Sequence, residues 1–167
     1  MKKLFQHSEE NPFHISVGVV LVNDEGKILV HKTDSTTIPE KFAHLLGGLD
    51  KAYILMRESL ENDETLEQCV ARGLREEFGA EGELVKYLGA ISTPVAARAR
   101  VFEKTTLYFL ARLQRQGPRP MDDEESFTEL VWMEPAELIS TMKTQGTQAN
   151  REDLNESKII ETYVKYK

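Results

Sequence analysis

Charged side chains recur at short intervals in residues 64–80, ETLEQCVARGLREEFGA. Residues four apart share one face of a helix, so Arg72 can pair with Glu76 and hold its carboxylate in place. Carboxylates on one helical turn repel each other unless a cation lies between them, and hard divalent ions such as Mg²⁺ bridge carboxylates to phosphates. The segment indicates either a metal-dependent phosphate chemistry or a solvated helix surface, which is the commoner role of a Glu-Glu pair.

The same segment is predicted to form a helix from Glu64 to Phe78. Asp63 suits the N-cap, and Gly79 suits the C-cap. Cys69 is predicted to be buried, and a single cysteine excludes an intramolecular disulfide. Apolar residues recur every four positions and predict one buried stripe: Leu66, Val70, Leu74 and Phe78.

The elements around this helix mix strands and helices without a regular alternation. Residues 15–22 and 27–32 predict a hairpin, followed by a loop at 33–41 and a short strand at 52–57. Later segments predict strands at 83–91, 99–113 and 128–133, a short helix opening at Glu134 and Pro135, and a C-terminal helix at 153–166. The pattern predicts one α+β domain over residues 1–167, or a mixed-sheet sandwich with helices on its faces.

The charge balance excludes some classes of function. The chain has 21 Lys and Arg residues against 28 Asp and Glu, a net charge of −7. Nucleic-acid binding is therefore not expected, because a phosphate backbone requires a basic face, although a small anion could still bind locally. No apolar run approaches the length of a membrane span, and the N-terminus lacks the apolar core of a signal peptide, so a cytoplasmic location is expected.

The spacing in the predicted helix resembles the Nudix box. That box is Gly, five residues, Glu, seven residues, then Arg-Glu-apolar-x-Glu-Glu-x-Gly-apolar. The resemblance covers about residues 14–140 and implies a Nudix-type α/β/α sandwich, with a mixed β-sheet between helices. The matching positions are Glu64, Arg72, Leu74, Glu76, Glu77 and Gly79.

Two positions depart from the box. Glu58 stands where the box has glycine, and Gly73 stands where it has the glutamate after the arginine. A glycine pair lies earlier, at 47–48, so about ten residues, roughly 49–59, are inferred to be inserted before the box. Gly73 reflects drift after loss of activity, or close packing against a neighbouring segment, or a site in which another carboxylate has taken over. The candidates for that carboxylate are Glu124 and Glu125, less so Asp122 and Asp123, with Asp50 and Glu58 in the insertion.

The resemblance implies a diphosphohydrolase that uses Mg²⁺ or Mn²⁺ and cleaves a nucleoside diphosphate linked to another group. Glu76 and Glu77 would bind the metal with help from Glu64, and Arg72 would orient Glu76. Glu124 or Glu125 would replace the carboxylate absent at 73. The alternative for the four consecutive acidic residues at 122–125 is that they form a solvated loop without a catalytic role.

Substrate contacts are less specific in the sequence. Arg57, Arg98 and Arg100 are candidates for binding a diphosphate, with Lys104 nearby, although exposed strand charges are the simpler explanation. His31 and His44 are isolated along the chain, with no zinc-binding spacing. The alternative function is a nucleotide-binding or regulatory module that has lost hydrolysis, which Gly73 and Glu58 favour. The family also suggests a homodimer.

Overall fold

A computed structural model describes residues 2–97, 100–120 and 126–167. Seven strands form one sheet in the order β3-β2-β1-β6-β5, with β4 also paired to β1 and β7 to β2. The strands are β1 (Phe13–Val22), β2 (Ile28–Asp34), β3 (Lys51–Ile54), β4 (Met56–Ser59), β5 (Ala80–Ala97), β6 (Arg100–Gln116) and β7 (Glu129–Met133). The helices are α1 (Leu66–Phe78), α2 (Pro135–Ala149) and α3 (Ser157–Tyr166).

Strand β1 lies at the centre and makes the sheet mixed. It pairs in parallel with β6, where Phe13 lies opposite Glu103, and antiparallel with β2 and β4. Its nine residues from His14 to Val22 include eight buried ones. A strand covered on both faces has an unbroken apolar sequence rather than an alternating one, which is why residues 15–22 are so uniformly hydrophobic.

The two faces of the sheet carry separate cores. Val17, Val19 and Leu21 of β1 pack with the buried stripe of α1. Val20 and Val22 point to the other face, where they join apolar residues of α2 and α3. Alternate residues of a strand point to opposite faces, so one strand serves both cores. This arrangement confirms the predicted α/β/α sandwich.

The ends of the helices differ in part from the prediction. Helix α1 begins at Leu66 because Thr65, not Asp63, is the N-cap, and its side chain accepts a hydrogen bond from the Gln68 N–H in a capping box. Gly79 ends the helix in the left-handed region, as predicted. The C-terminal helix begins at Ser157 and not at 153, because residues 152–154 form a 3-10 turn. No helix in the described part of the chain has both the length and the apolar character needed to cross a membrane.

The segment before the box folds as two strands rather than the single predicted one. Strand β3 pairs with β2, and β4 pairs with β1, with Leu55 between them. The predicted loop at 33–41 is also shorter, since β2 reaches Asp34 and a 3-10 helix covers 40–46. The shift from β2 to β1 brings β4 against helix α1, and this contact shapes the site.

Candidate active site

Arg72 lies at the centre of a cluster of three carboxylates. Its Nε donates to Glu64 Oε1 at 2.8 Å, and its Nη2 donates to Glu64 Oε2 at 3.0 Å. Its Nη1 lies 3.1 Å from Glu58 Oε1 and 3.5 Å from Glu76 Oε2. Nη2 also donates to the Ser59 carbonyl at 2.9 Å and lies 3.8 Å from Cys69 Sγ. The guanidinium therefore ties α1 to β4 and to the loop between them.

These distances revise the expected role of Arg72. The sequence predicted that Arg72 orients Glu76, but the bidentate partner is Glu64, and the contact with Glu76 is the longest of the set. Hydrogen bonds from Arg72 lower the pKa of Glu64, and the same bonds raise the pKa of Arg72. Burial raises the pKa of Glu58 against the opposing charge of Arg72. Glu64 thus serves first as the anchor of the arginine, and its binding of metal stays a prediction.

Glu77 lies on a buried chain of hydrogen bonds that the sequence analysis did not find. Its Oε2 lies 2.7 Å from His31 Nε2, and His31 Nδ1 lies 2.7 Å from Thr128 Oγ1. Arg119 Nη1 donates to the same Thr128 hydroxyl at 2.9 Å. Since Thr128 accepts from Arg119, its own proton can be donated to His31 Nδ1. His31 Nε2–H then donates to Glu77, which fixes the neutral tautomer of the ring.

His31 is neutral in this setting. Burial, aided by the positive charges of Arg119 and Arg57, lowers the pKa of His31 to about 3. A signal for its role was present in the sequence, because Leu29 and His31 lie two apart on β2 and share the face toward α1. His31 is isolated along the sequence, but in the folded protein it contacts the box helix directly.

The buried histidine gives the protein a defined response to acid. Unfolded His31 takes up a proton near its ordinary pKa of 6.5, whereas the folded ring stays neutral down to about 3. Between pH 6.5 and about 3 the unfolded state therefore binds more protons than the folded state. In this window, the proton uptake of His31 is expected to lower the free energy of unfolding by about 1.4 kcal/mol for each unit by which the pH falls. His31→Gln keeps a donor for Glu77 and does not titrate here, so its slope should be flatter. Urea unfolding at pH 7, 6, 5 and 4 measures both slopes, and parallel slopes would contradict the assignment.

Glu77 and His31 also line a cleft of about 240 Å³. Three cationic side chains from separate elements share its wall: Arg57, Lys104 and Arg151. Phe127 lies at the cleft and stacks on Phe42, with ring centroids 5.0 Å apart. Asp153 also lines the cleft and pairs with Arg151. A box carboxylate thus shares one concave, partly apolar cleft with several cations, and a concave cleft of this kind is the usual form of a small-molecule site.

The role of each arginine predicted to bind substrate depends on its position relative to the cleft. Arg57 lines the cleft, where its Nε lies 3.6 Å from Glu156 Oε1. Arg100 is exposed at the start of β6, its Nη2 lies 3.5 Å from Glu9 Oε1, and it does not line the cleft, so its role as a substrate contact stays a prediction. Arg151 was missed because no motif marks it. The predicted residues Arg98, Glu124 and Glu125, with Asp122 and Asp123, lie outside the described residues.

The carboxylates of the box have the chemistry that a hard divalent cation requires. The side chain of Glu76 is 47% exposed, and Arg72 touches it at 3.5 Å. Glu77 presents a buried carboxylate at the cleft. In the residues that the structure describes, no three acidic, cysteine or histidine side chains form a ready cation site. The donor set fits Mg²⁺ or Mn²⁺ in kind, with Glu76 and Glu77 as the residues that would hold it.

Gly73 is closely packed. A Cβ atom built on it would lie 2.7 Å from Met56 Sδ and 2.9 Å from the Cβ of Glu58. The close-packing interpretation therefore describes this position, and a glutamate placed at 73 alone would collide with β4. Cys69, on the same helix, is buried as predicted, and burial followed by the charge of Glu64 raises the pKa of its thiol.

A family model described as the NUDIX domain matches residues 12–154. The chain belongs to the Nudix family. This confirms the resemblance drawn from the spacing of Glu64, Arg72, Glu76 and Glu77. Among curated proteins, the NAD-capped RNA hydrolase NudC of Photobacterium profundum is 30% identical over 111 residues, which is 66% of this chain and 37% of that protein. The matched region of this Nudix chain thus spans little more than a third of its relative.

Solved structures support the same fold. A NUDIX hydrolase from Nitrosomonas europaea superposes with a TM-score of 0.63 at 18% identity, covering 90% of this chain and 88% of that one. The solution structure of the E. coli ORF135 protein gives a TM-score of 0.51 at 19% identity, with the same coverage. At these identities the likeness shows a shared Nudix fold, while the chemistry must be argued from the site itself.

Proposed function

We propose that this Nudix protein hydrolyses a diphosphate bond in a nucleoside diphosphate linked to another group, with Mg²⁺ or Mn²⁺ as cofactor. The observation that carries the proposal is the position of Glu77, which belongs to the box and also lines the cleft that Arg57, Lys104 and Arg151 share. A diphosphate entering this cleft would meet three cationic side chains and the box carboxylate Glu77.

Each group has a separate task in the proposed reaction. The cleft cations bind and orient the phosphates, which brings the reacting phosphorus to the box helix. Neutral His31 donates to Glu77 and so holds that carboxylate in a fixed direction. When bound by Glu76 and Glu77, the divalent ion would neutralise phosphate charge and lower the pKa of water. Arg72 holds the box helix against β4.

The size and lining of the cleft support one substrate class. NudC acts on NAD-capped RNA, as its name states, and NAD carries a diphosphate between two nucleosides. A cleft of about 240 Å³ with the Phe42–Phe127 pair beside it suits a diphosphate with a flanking base. The net charge of −7 does not favour a long nucleic acid as the body of the substrate. The preferred class is therefore a small nucleotide derivative.

A phosphatase-coupled phosphate-release screen tests the function. Nucleoside triphosphates, nucleotide sugars, ADP-ribose, dinucleotides and NAD-capped RNA are offered with Mg²⁺ or Mn²⁺, with EDTA as the blank. Turnover is expected for the linked diphosphates and should stop in EDTA. Glu76→Gln should lower turnover at least about tenfold, because a carboxylate that holds the cation is lost. Glu67→Gln, an exposed change on the same helix, is the matched control and should leave turnover unchanged.

The second candidate is a nucleotide-binding module without hydrolysis. Gly73, together with the lack of a ready three-residue cation site in the described ranges, favours it. No turnover across the panel, from a chain that still melts cooperatively and is stabilised by a nucleotide in a thermal-shift assay, would replace the hydrolase with this module.

A further inference from the structure

Positions 58 and 73 face each other where strand β4 meets helix α1. A Cβ atom on Gly73 would lie 2.9 Å from the Cβ of Glu58, and 2.7 Å and 2.9 Å from the Sδ and Cε of Met56. The end of the Met56 side chain is flexible and can turn away. The Cβ of Glu58 is attached to the strand backbone and cannot. Side chains at both 58 and 73 therefore require the strand and helix to move apart.

The carboxylate at this contact comes from the strand. Glu58 Oε1 lies 3.1 Å from Arg72 Nη1 and accepts the Ser59 N–H at 2.9 Å. The same Nη1 lies within 3.5 Å of Glu76 Oε2. One guanidinium is thus shared by three carboxylates, with Glu64 as the third. Because Glu58 and Glu64 engage Arg72 closely, the charge of Glu76 is only partly neutralised and stays able to attract a cation.

We propose that Glu58 and Gly73 are an exchanged pair, in which the strand supplies the carboxylate that the Nudix box carries on its helix. Glu58 is then a positioning residue that acts through Arg72 and keeps the guanidinium from closing on Glu76. The inference rests on the proposed function, because it assigns Glu58 to the same cation-binding end of the site. In this chain Glu58 stands at the position of the box glycine, and Gly73 stands at the position of the box glutamate that follows the arginine.

The steric half of the proposal is tested by melting temperatures of the full chain. Gly73→Ala adds one methyl group at the crowded contact, and overpacking of this kind should lower Tm by about 5 °C. In a Glu58→Gly background the opposing Cβ is gone, and the fall in Tm caused by adding Gly73→Ala should be less than half as large. Glu83→Gly makes the same change at an exposed residue of β5 and should leave the full loss in place. If Gly73→Ala lowers Tm equally in wild type, in Glu58→Gly and in Glu83→Gly, the proposed exchange is overturned.

The charge half is tested by calorimetric titration of Mn²⁺ into the same proteins. Glu58→Gln keeps the side-chain volume but frees Arg72 Nη1 to neutralise Glu76, so Mn²⁺ affinity should fall about tenfold. The double variant Glu58→Gly with Gly73→Glu restores the family order of the pair and should regain most of that affinity. Unchanged affinity in Glu58→Gln, or no recovery in the double variant, would overturn the positioning role.

The two proposals fail in different ways. A wild-type chain that binds Mn²⁺ but turns over none of the panel overturns the hydrolysis and leaves the exchanged pair supported by the titration. A wild-type chain that binds no Mn²⁺ overturns the metal-dependent function and the positioning role of Glu58 together. In that event the melting temperatures of the Gly73→Ala series still decide whether residues 58 and 73 are sterically exchanged.

Discussion

Glu77→Gln is expected to lower kcat/KM by about 10²–10³-fold on whichever substrate the screen identifies. The glutamine has the shape of the glutamate, and its oxygen can still accept from His31 Nε2. What is lost is a negative charge at a carboxylate that is only 4% exposed, in a setting with little solvent screening. The effect should exceed that of Glu76→Gln, since the Glu76 side chain is half exposed.

The measurement needs a separation of activity from folding. Steady-state kinetics should be run beside a thermal melt and a Mn²⁺ titration, with Glu67→Gln as the charge-matched control on α1. A kcat/KM within about threefold of wild type, in a folded Glu77→Gln protein, would remove Glu77 from the machinery and with it the main support for the proposed function.

Arg72→Met is expected to lower the free energy of unfolding at pH 7 by about 3 kcal/mol. The side chains of Glu58 and Glu64 are 19% and 11% exposed, and without the guanidinium both negative charges would remain poorly solvated and unpaired. Since Arg72 lowers the pKa of Glu64 from its ordinary value of 4.5, this stabilisation is present above pH 4.5 and is lost as the pH falls through the folded pKa. The gap between variant and wild type should therefore narrow in acid.

Urea unfolding at pH 7 and pH 4 measures that gap. Arg75→Met, an exposed change one turn along the same helix, is the control and should alter stability by less than about 0.5 kcal/mol. If Arg72→Met unfolds at the same urea concentration as Arg75→Met, the carboxylate cluster contributes nothing to folding, and the contacts of Arg72 are surface pairs of little energetic value.

The sandwich and the box helix could be predicted because their signals are local and periodic. The stripe of Val70, Leu74 and Phe78 fixes the buried face of α1, and the apolar, β-rich run at residues 15–22 predicts a strand. The N-cap was misplaced by two residues because Asp63 and Thr65 are both good capping residues. The choice depended on Gln68, which completes the capping box with Thr65.

The site was predicted less completely because it depends on contacts between distant segments. The sequence marks Glu58 as a departure from the box glycine and as a carboxylate of the insertion, but nothing in its sequence neighbourhood shows that β4 packs on Gly73. Arg151 follows α2 and reaches the cleft through the return of the chain toward α3. His31 could have been found from the alternation in β2, since its face was already fixed by Leu29.

The parallel pairing of β1 with β6 sets when this protein can fold. Phe13 lies opposite Glu103, so the central strand remains without its long neighbour until most of the chain has left the ribosome. Closing so long a loop carries an entropy penalty, and folds dominated by such distant pairs form slowly. The carboxylate cluster, held between β4 and α1, is local in sequence, whereas the cleft needs Lys104 from β6. The box helix can therefore pack on β4 early, but the cleft is completed only after β6, Phe127 and Arg151 are all in place.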